Sequence, residues 1–302
     1  MAIDRDALLS WRIPEVHHAY THRDTMLYAL GLGLGGQPTD PDQLRFTYEE
    51  GLQALPSMAV ILGYPGFWLS DPRTGANWKA LLHGEQGFEN FRSLPAAGTV
   101  IGRTRVTNVI DKGPEKGALV YTEREVLDAE TGECLSLLTS TSVLRADGGF
   151  GGPSGPVPVP AAIPARAPDY VCDLPTLPQA ALLYRLSGDY NPLHADPAVA
   201  GVAKFPRPIL HGLCTFGIAC HALLKTLCSY DPARLRAMRC RFTASVYPGE
   251  TLRTEIWVEE DEVAFRTIVV ERQAVVLNNG RAKVAAITAA MGGAFHRASV
   301  MS

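Results

Sequence analysis

Seven consecutive residues hold the clearest chemistry in this chain: Gly188-Asp189-Tyr190-Asn191-Pro192-Leu193-His194. Ala180, Leu183 and Leu186 share one helical face, which predicts a helix over 177–187. Gly188 ends that helix and Pro192 forbids its resumption. Asp189 and His194 therefore sit on a short, stiff loop, a usual place for acid–base groups. A carboxylate beside an imidazole can orient the ring and tune its basicity, and the two can hold one water between them. Each residue alone has a plainer reading. An Asp after Gly is commonly a cap, and Asn-Pro is a common turn, so Asn191 serves equally well as a turn residue or an orienting group. The combination points to chemistry, with a second turn close by. There Ile209-Leu210-His211-Gly212-Leu213 opens an apolar helix at Gly212. His211 is expected to face away from the pair and fix that turn. His194 and His211 show no metal-ligand spacing with a carboxylate or cysteine cluster, so no metal is expected.

The elements that must position this loop follow from pattern. After Gly212, Ile218, Ala219, Ala222, Leu223 and Leu227 form a helical apolar stripe over 212–228. Strands are expected at 239–246, 251–259, 263–272 and 282–291, with turns at Pro248-Gly249 and Asn278-Asn279-Gly280. A sheet needs its apolar face covered, and the helix at Gly212 is the long apolar helix available. The sheet should wrap around it, an α+β hot-dog arrangement.

The first half reads differently. A helix is expected near 21–32, capped by Thr21 with Asp24 and apolar along Met26, Leu27, Ala29 and Leu30. The glycine run after it ends a helix instead of joining a strand to one, so it is no dinucleotide motif. Residues 37–44 read as loop, 45–48 as a short strand, and 56–62 as a buried apolar run. Leu82-His83-Gly84 echoes Leu210-His211-Gly212 and suggests two related halves. Gly87, Asn90 and Pro95 interrupt any helix after Gly84, so the first half should lack a full central helix. Strands at 99–111, 118–127 and 135–144 form an antiparallel meander. The Gly/Pro/Ala-rich stretch 148–168 reads as a linker between an N-terminal half, 1–147, and a C-terminal half, 169–302.

Composition excludes several classes. The chain has 302 residues, 46% hydrophobic and 20% charged, with net charge −3. That charge gives no general attraction to nucleic acid or anionic membranes. No apolar run reaches the roughly 18 residues of a membrane span. The six cysteines contain no Cys-x-x-Cys pair, and three lie in the apolar 210–228 region, as reduced buried thiols do. The charged N-terminus lacks a signal core, and Val300-Met301-Ser302 is not a Ser-Lys-Leu address. A cytoplasmic protein is expected.

Residues 184–194 resemble the hydratase 2 motif of the MaoC-like, (R)-specific enoyl-CoA hydratases. The resemblance extends through Ile209-Leu210-His211-Gly212-Leu213-Cys214-Thr215-Phe216-Gly217, Tyr28-Ala29-Leu30-Gly31, Leu82-His83-Gly84-Glu85-Gln86 and Val109-Ile110-Asp111-Lys112-Gly113. It spans about residues 20 to 291 and includes the hydratase 2 part of peroxisomal multifunctional enzyme type 2. It implies a double hot-dog, with two antiparallel sheets each associated with a helix. It implies reversible hydration of a trans-2-enoyl-CoA to an (R)-3-hydroxyacyl-CoA, in fatty-acyl or steroid side-chain metabolism. Asp189 and His194 would be catalytic, and the Gly212 N–H would stabilise the charge developing on the thioester oxygen. Such a donor is worth roughly 3 kcal/mol. Asn191, His83, Gly84, Lys112 and Phe242 would contact substrate, with Lys112 and Arg241 suited to CoA phosphates or to plain surface charge. The absent first-half helix would leave a tunnel for a long or bulky acyl chain. No cofactor is implied beyond the CoA thioester itself. A homodimer is compatible, and so is a separate (R)-3-hydroxyacyl-CoA dehydrogenase, since no dehydrogenase is fused here. Tyr190 departs from the tryptophan of the animal enzyme. Two other readings fit the fold: an acyl-CoA thioesterase, attacking the thioester carbonyl, and a non-catalytic acyl-CoA-binding protein.

Overall fold

The computed structural model describes residues 3–260 and 262–285. Ten strands form one antiparallel sheet. The first half supplies β1 (Val16–Tyr20), β2 (Leu81–Asn90), β3 (Gly98–Asp111), β4 (Ala118–Asp128) and β5 (Cys134–Leu144). The second supplies β6 (Tyr170–Pro175), β7 (Leu235–Phe242), β8 (Thr251–Val258), β9 (Val263–Val269) and β10 (Ala274–Val284). Their order across the sheet is β1-β3-β4-β5-β2-β7-β10-β9-β8-β6. Read outward from the centre, the two halves repeat the same order. The expected pair of sheets is thus fused into one at β2 and β7, where Glu85 to Glu89 pair with Arg241 to Ala237. Edge pairing satisfies two rows of backbone groups that would otherwise lie open.

Among the described residues six helices accompany the sheet: α1 (Arg5–Leu9), α2 (His22–Gly31), α3 (Pro41–Leu44), α4 (Ala180–Tyr184), α5 (Pro197–Val202) and α6 (Gly212–Leu227). In α6, 13 of 16 residues are buried. The expected stripe therefore extends nearly all round the helix. The sheet covers one side through β6, β7, β8 and β10. Tyr28, Leu32 and the 3-10 turn Pro56–Ile61 cover the other side within the same core. Gly217 permits this, since a Cβ there would lie 2.6 Å from a methyl of Leu32 and 3.2 Å from the Tyr28 hydroxyl. The 3-10 turn packs on β2 and β5, the counterparts of β7 and β10 under α6. Six residues of turn thus occupy the place that sixteen of helix occupy in the second half. A short central element in the first half was the expectation, and the structure has it.

Several boundaries differ from the sequence pattern. The α2 capping box of Thr21 and Asp24 is present, but the buried side runs through Thr25, Tyr28 and Ala29, and Leu30 faces solvent. Residues 45–48 are turns that continue α3, not a strand; Tyr48 N–H donates to Leu44 O. Four residues are too few to separate a two-residue period from a turn. The segment 278–280 is not a turn. It is a bulge inside β10, with Asn279 at φ 53° and the register shifted between Asn278 and Arg281. Bulges and turns both draw on asparagine and glycine for left-handed backbone, so composition alone does not separate them. The turn lies nearer Gln273, at φ 52°. The strand expected at 282–291 overlaps β10 at 282–284, and its part beyond 285 lies outside the described residues. Strands β1 and β2 carried too many polar or glycine residues to read from pattern, and β6 is only six residues long and ends in a proline. The helix expected at 177–187 is α4 followed by a 3-10 turn, Arg185–Ser187.

Candidate active site

Gly188, at φ 110°, closes the 3-10 turn after α4 and starts the loop. Asn191 caps the next turn, Pro192–His194, by accepting from Leu193 N–H at 3.0 Å. It is exposed, its backbone N–H donates to Asp189 Oδ1 at 3.2 Å, and its carbonyl accepts from His194 N–H at 3.2 Å, so its backbone ties Asp189 to His194. The turn swings His194 into the protein, where it is 8% exposed. His194 Nδ1 lies 2.9 Å from the carbonyl oxygen of Ile209. A carbonyl only accepts, so Nδ1 carries the proton and Nε2 keeps a lone pair. Burial lowers the His194 pKa below its ordinary 6.5, opposed by Ile209 O and the Asp189 carboxylate. The ring is thus a neutral base at neutral pH.

His211 does not face away. Its ring stacks on His194 with centroids 3.8 Å apart and 28° between planes. Its Nε2–H donates to the Asp189 backbone carbonyl at 3.1 Å, which does tie the two turns together. Its Nδ1 is buried with no hydrogen-bond partner. Burial, with the neighbouring His194, pushes its pKa down to about 4. Ligand atoms of Asp189, His194 and His211 all lie within 4.8 Å of one another. The expectation that these histidines lack a ligand-like spacing is therefore wrong. The chain folds Ile209 and His211 back over the loop, a proximity that separation in sequence does not show. Three such donors could hold a divalent cation or a water.

Gly212 is the first residue of α6, and its first-turn N–H groups have no partner inside the helix. A Cβ on Gly212 would meet the Phe242 ring at 3.3 Å. Phe242 in turn packs on His83, with ring centroids 4.7 Å apart. His83 Nε2 lies 3.0 Å from Ser140 Oγ, and burial pushes its pKa down to about 4 despite the field of Asp189. The fold thus brings Asp189, His194, His211, Gly212, Phe242 and His83 together from both halves.

Other expected contacts fall elsewhere. Leu82-His83-Gly84 lies within β2 and opens no helix, so it is no counterpart of Leu210-His211-Gly212. Gly84 sits at a bulge where a Cβ would strike Val143 at 2.8 Å. Its absent side chain serves the strand and aims His83. Lys112 follows β3, three strand spacings from β2, roughly 14 Å. Arg241 forms an ion pair with Glu85 across the β2–β7 seam, which accounts for it without a phosphate. Tyr64 was missed; it lies in the Asp189 field and under Arg124. No spacing rule marks a residue that a distant loop delivers.

Two family models match: "MFE-2 hydratase 2 N-terminal domain" over residues 18–146 and "MaoC like domain" over residues 160–279. The chain is 41% identical over 295 residues to Enoyl-CoA hydratase 2, peroxisomal, of Arabidopsis thaliana, covering 90% of this chain and 93% of that protein. The chain belongs to the MaoC-like hydratase 2 family. Another member, 3-hydroxyacyl-thioester dehydratase Y of Mycobacterium tuberculosis, is 43% identical, covering 89% of this chain and 92% of that one. Among solved structures, a MaoC-like dehydratase from Phytophthora capsici superposes with TM-score 0.82 at 37% identity, covering 93% of this chain and 98% of that chain. Hydratase 2 membership accounts for the two unequal halves, one model matching each.

Proposed function

We propose that this protein is an (R)-specific enoyl-CoA hydratase, a hydro-lyase that also runs as a 3-hydroxyacyl-CoA dehydratase. The relatives' names support the reaction class in both directions. One observation carries the assignment to residues: a carboxylate oxygen of Asp189 and a ring nitrogen of His194 lie within 4.8 Å of each other beside the start of α6. A water fits between them. Its oxygen bonds to C3 as its proton passes to His194 Nε2, and the electron pair of the double bond moves onto the thioester oxygen. The Gly212 N–H meets that oxygen with the positive end of α6. The imidazolium then returns a proton to C2 and the thioester carbonyl re-forms. Asp189 holds the water's second proton and stabilises the imidazolium. His211 holds the Asp189 backbone in place. His83 and Phe242 wall the acyl side, and the space beside the short first-half turn receives the chain.

The test is incubation with trans-2-decenoyl-CoA, followed by loss of enoyl absorbance and chiral separation of the product. An (R)-3-hydroxy product is expected. Asp189→Ala and His194→Ala should each lower kcat by about 10²–10⁴-fold. Prior dialysis against EDTA should leave the rate unchanged, because the donors hold water in this scheme. An (S) product, or full activity in both variants, would move the chemistry to another loop. Release of free CoA thiol would assign the thioesterase reading instead.

A cytoplasmic location and a place in fatty-acyl β-oxidation belong to the same proposal. Among the described residues no helix is long and apolar enough to cross a membrane. All six cysteines are free thiols. The product would pass to an (R)-3-hydroxyacyl-CoA dehydrogenase.

A further inference from the structure

The first-half wall of the proposed acyl site is not plain hydrocarbon. Arg124 lies on β4 and is 9% exposed. One of its terminal nitrogens donates to Val60 O at 2.6 Å, at the end of the short 3-10 turn. Its Nε is buried without a partner. A guanidinium carries five N–H donors, so capping one carbonyl leaves most of them over. Arg281 is equally buried, but Glu262 at 3.3 Å and Glu259 at 4.0 Å face it. Among the described residues no acid pairs with Arg124; the Tyr64 ring lies 5.4 Å away, and His18 lies within its field. A buried cation without a counter-ion is costly unless something else supplies the anion.

Its neighbours are polar too. Thr104, directly opposite on β3, has a buried hydroxyl with no partner. On the other side Arg124 pairs with Leu138 of β5, two residues from Ser140. Residues two apart share a face, so Arg124 points to the same side as Ser140, which bonds His83. One strand and two residues separate them, on the order of 8 Å between Cα atoms. Tyr64, half exposed, lies within the fields of both Arg124 and Asp189. The unpaired cation thus stands a short way along the wall from the reacting end.

We propose that Arg124, with the Thr104 hydroxyl beside it and Tyr64 over it, receives a carboxylate on the distal part of the acyl chain, so that ω-carboxyacyl-CoA thioesters are preferred over plain hydrocarbon chains. The proposal rests on the acyl-CoA reading above but not on hydration itself. Titration calorimetry with two unreactive saturated thioesters separates them: sebacoyl-CoA, which ends in a carboxylate, and decanoyl-CoA. The intact protein should bind sebacoyl-CoA roughly tenfold or more tighter, the worth of a charge-assisted bond. Arg124→Met should abolish that preference and leave decanoyl-CoA affinity within about threefold. Arg124→Lys should keep part of it, and Thr104→Val should lower it. Equal affinity for the two ligands in the intact protein overturns the proposal, and so does an equal loss of both in Arg124→Met. The intact-protein ratio stands even if that variant fails to fold. Hydration of trans-2-decenoyl-CoA, assayed alongside, reports on the hydratase reading separately. Its failure with the binding preference intact would sink that reading and keep this one.

Discussion

At the scale of residues, the site is a matter of which imidazole nitrogen carries a proton. Ile209 O holds the proton on His194 Nδ1, and Asp189 O holds one on His211 Nε2. Both rings are kept neutral by burial. This sets a pH dependence. In the proposed scheme a neutral His194 is the working form, and burial lowers its pKa below the ordinary 6.5. The kcat/KM for hydration should therefore be flat at neutral pH and fall on the acid side, with a midpoint below 6.5. A profile taken from pH 4 to 9 checks this; activity that instead falls as pH rises past neutrality would mean that the ring works as an imidazolium acid. Asp189 and His194 were legible in the sequence because a Gly and a Pro confine them to one stiff loop. His211 was legible as a turn residue but not as a member of the cluster. Its direction depends on the Asp189 carbonyl, 22 positions away in the chain.

At the scale of elements, α6 is the organising piece, and its pattern announced it. Apolar residues on nearly every side mean a helix buried nearly all round. What lies against each side is less local. Gly217 looks like a weak helix former, and it is the point where Leu32 and Tyr28 close on the helix. Gly217→Val should destabilise the protein by about 1–3 kcal/mol through overpacking. Denaturant unfolding monitored by circular dichroism checks this; an unchanged or raised midpoint would mean that α2 can retreat without cost. The strand β2 escaped recognition for a related reason. Gly84 and Gly87 weaken its strand character, yet Val143 and Thr139 press on those two positions, where a Cβ would come within 2.8 Å and 2.7 Å.

At the scale of the whole molecule, burial of neutral histidines couples stability to pH. His83, His211 and His221 are each pushed down to about 4, chiefly by burial, and His194 is lowered too. Unfolded, each would titrate near 6.5. Between about 6.5 and 4 the unfolded chain binds more protons, so stability is full above 6.5 and is lost as pH falls through that window. Calorimetry should show Tm declining steadily from pH 7 to pH 4.5; a flat Tm would mean that these rings gain partners on protonation.

The sequence by itself determined the reactive loop, the buried helix that follows it, most of the meander and the inequality of the halves. Each depends on neighbours within a turn or two, where glycine, proline and apolar period act directly. The tertiary structure alone decided that ten strands make one sheet, that His211 turns inward, and that Gly84 and Arg241 serve the scaffold. It also buried Arg124 with its Nε unpartnered. Those outcomes depend on which distant backbone or charge a side chain meets, and only long-range pairing decides that.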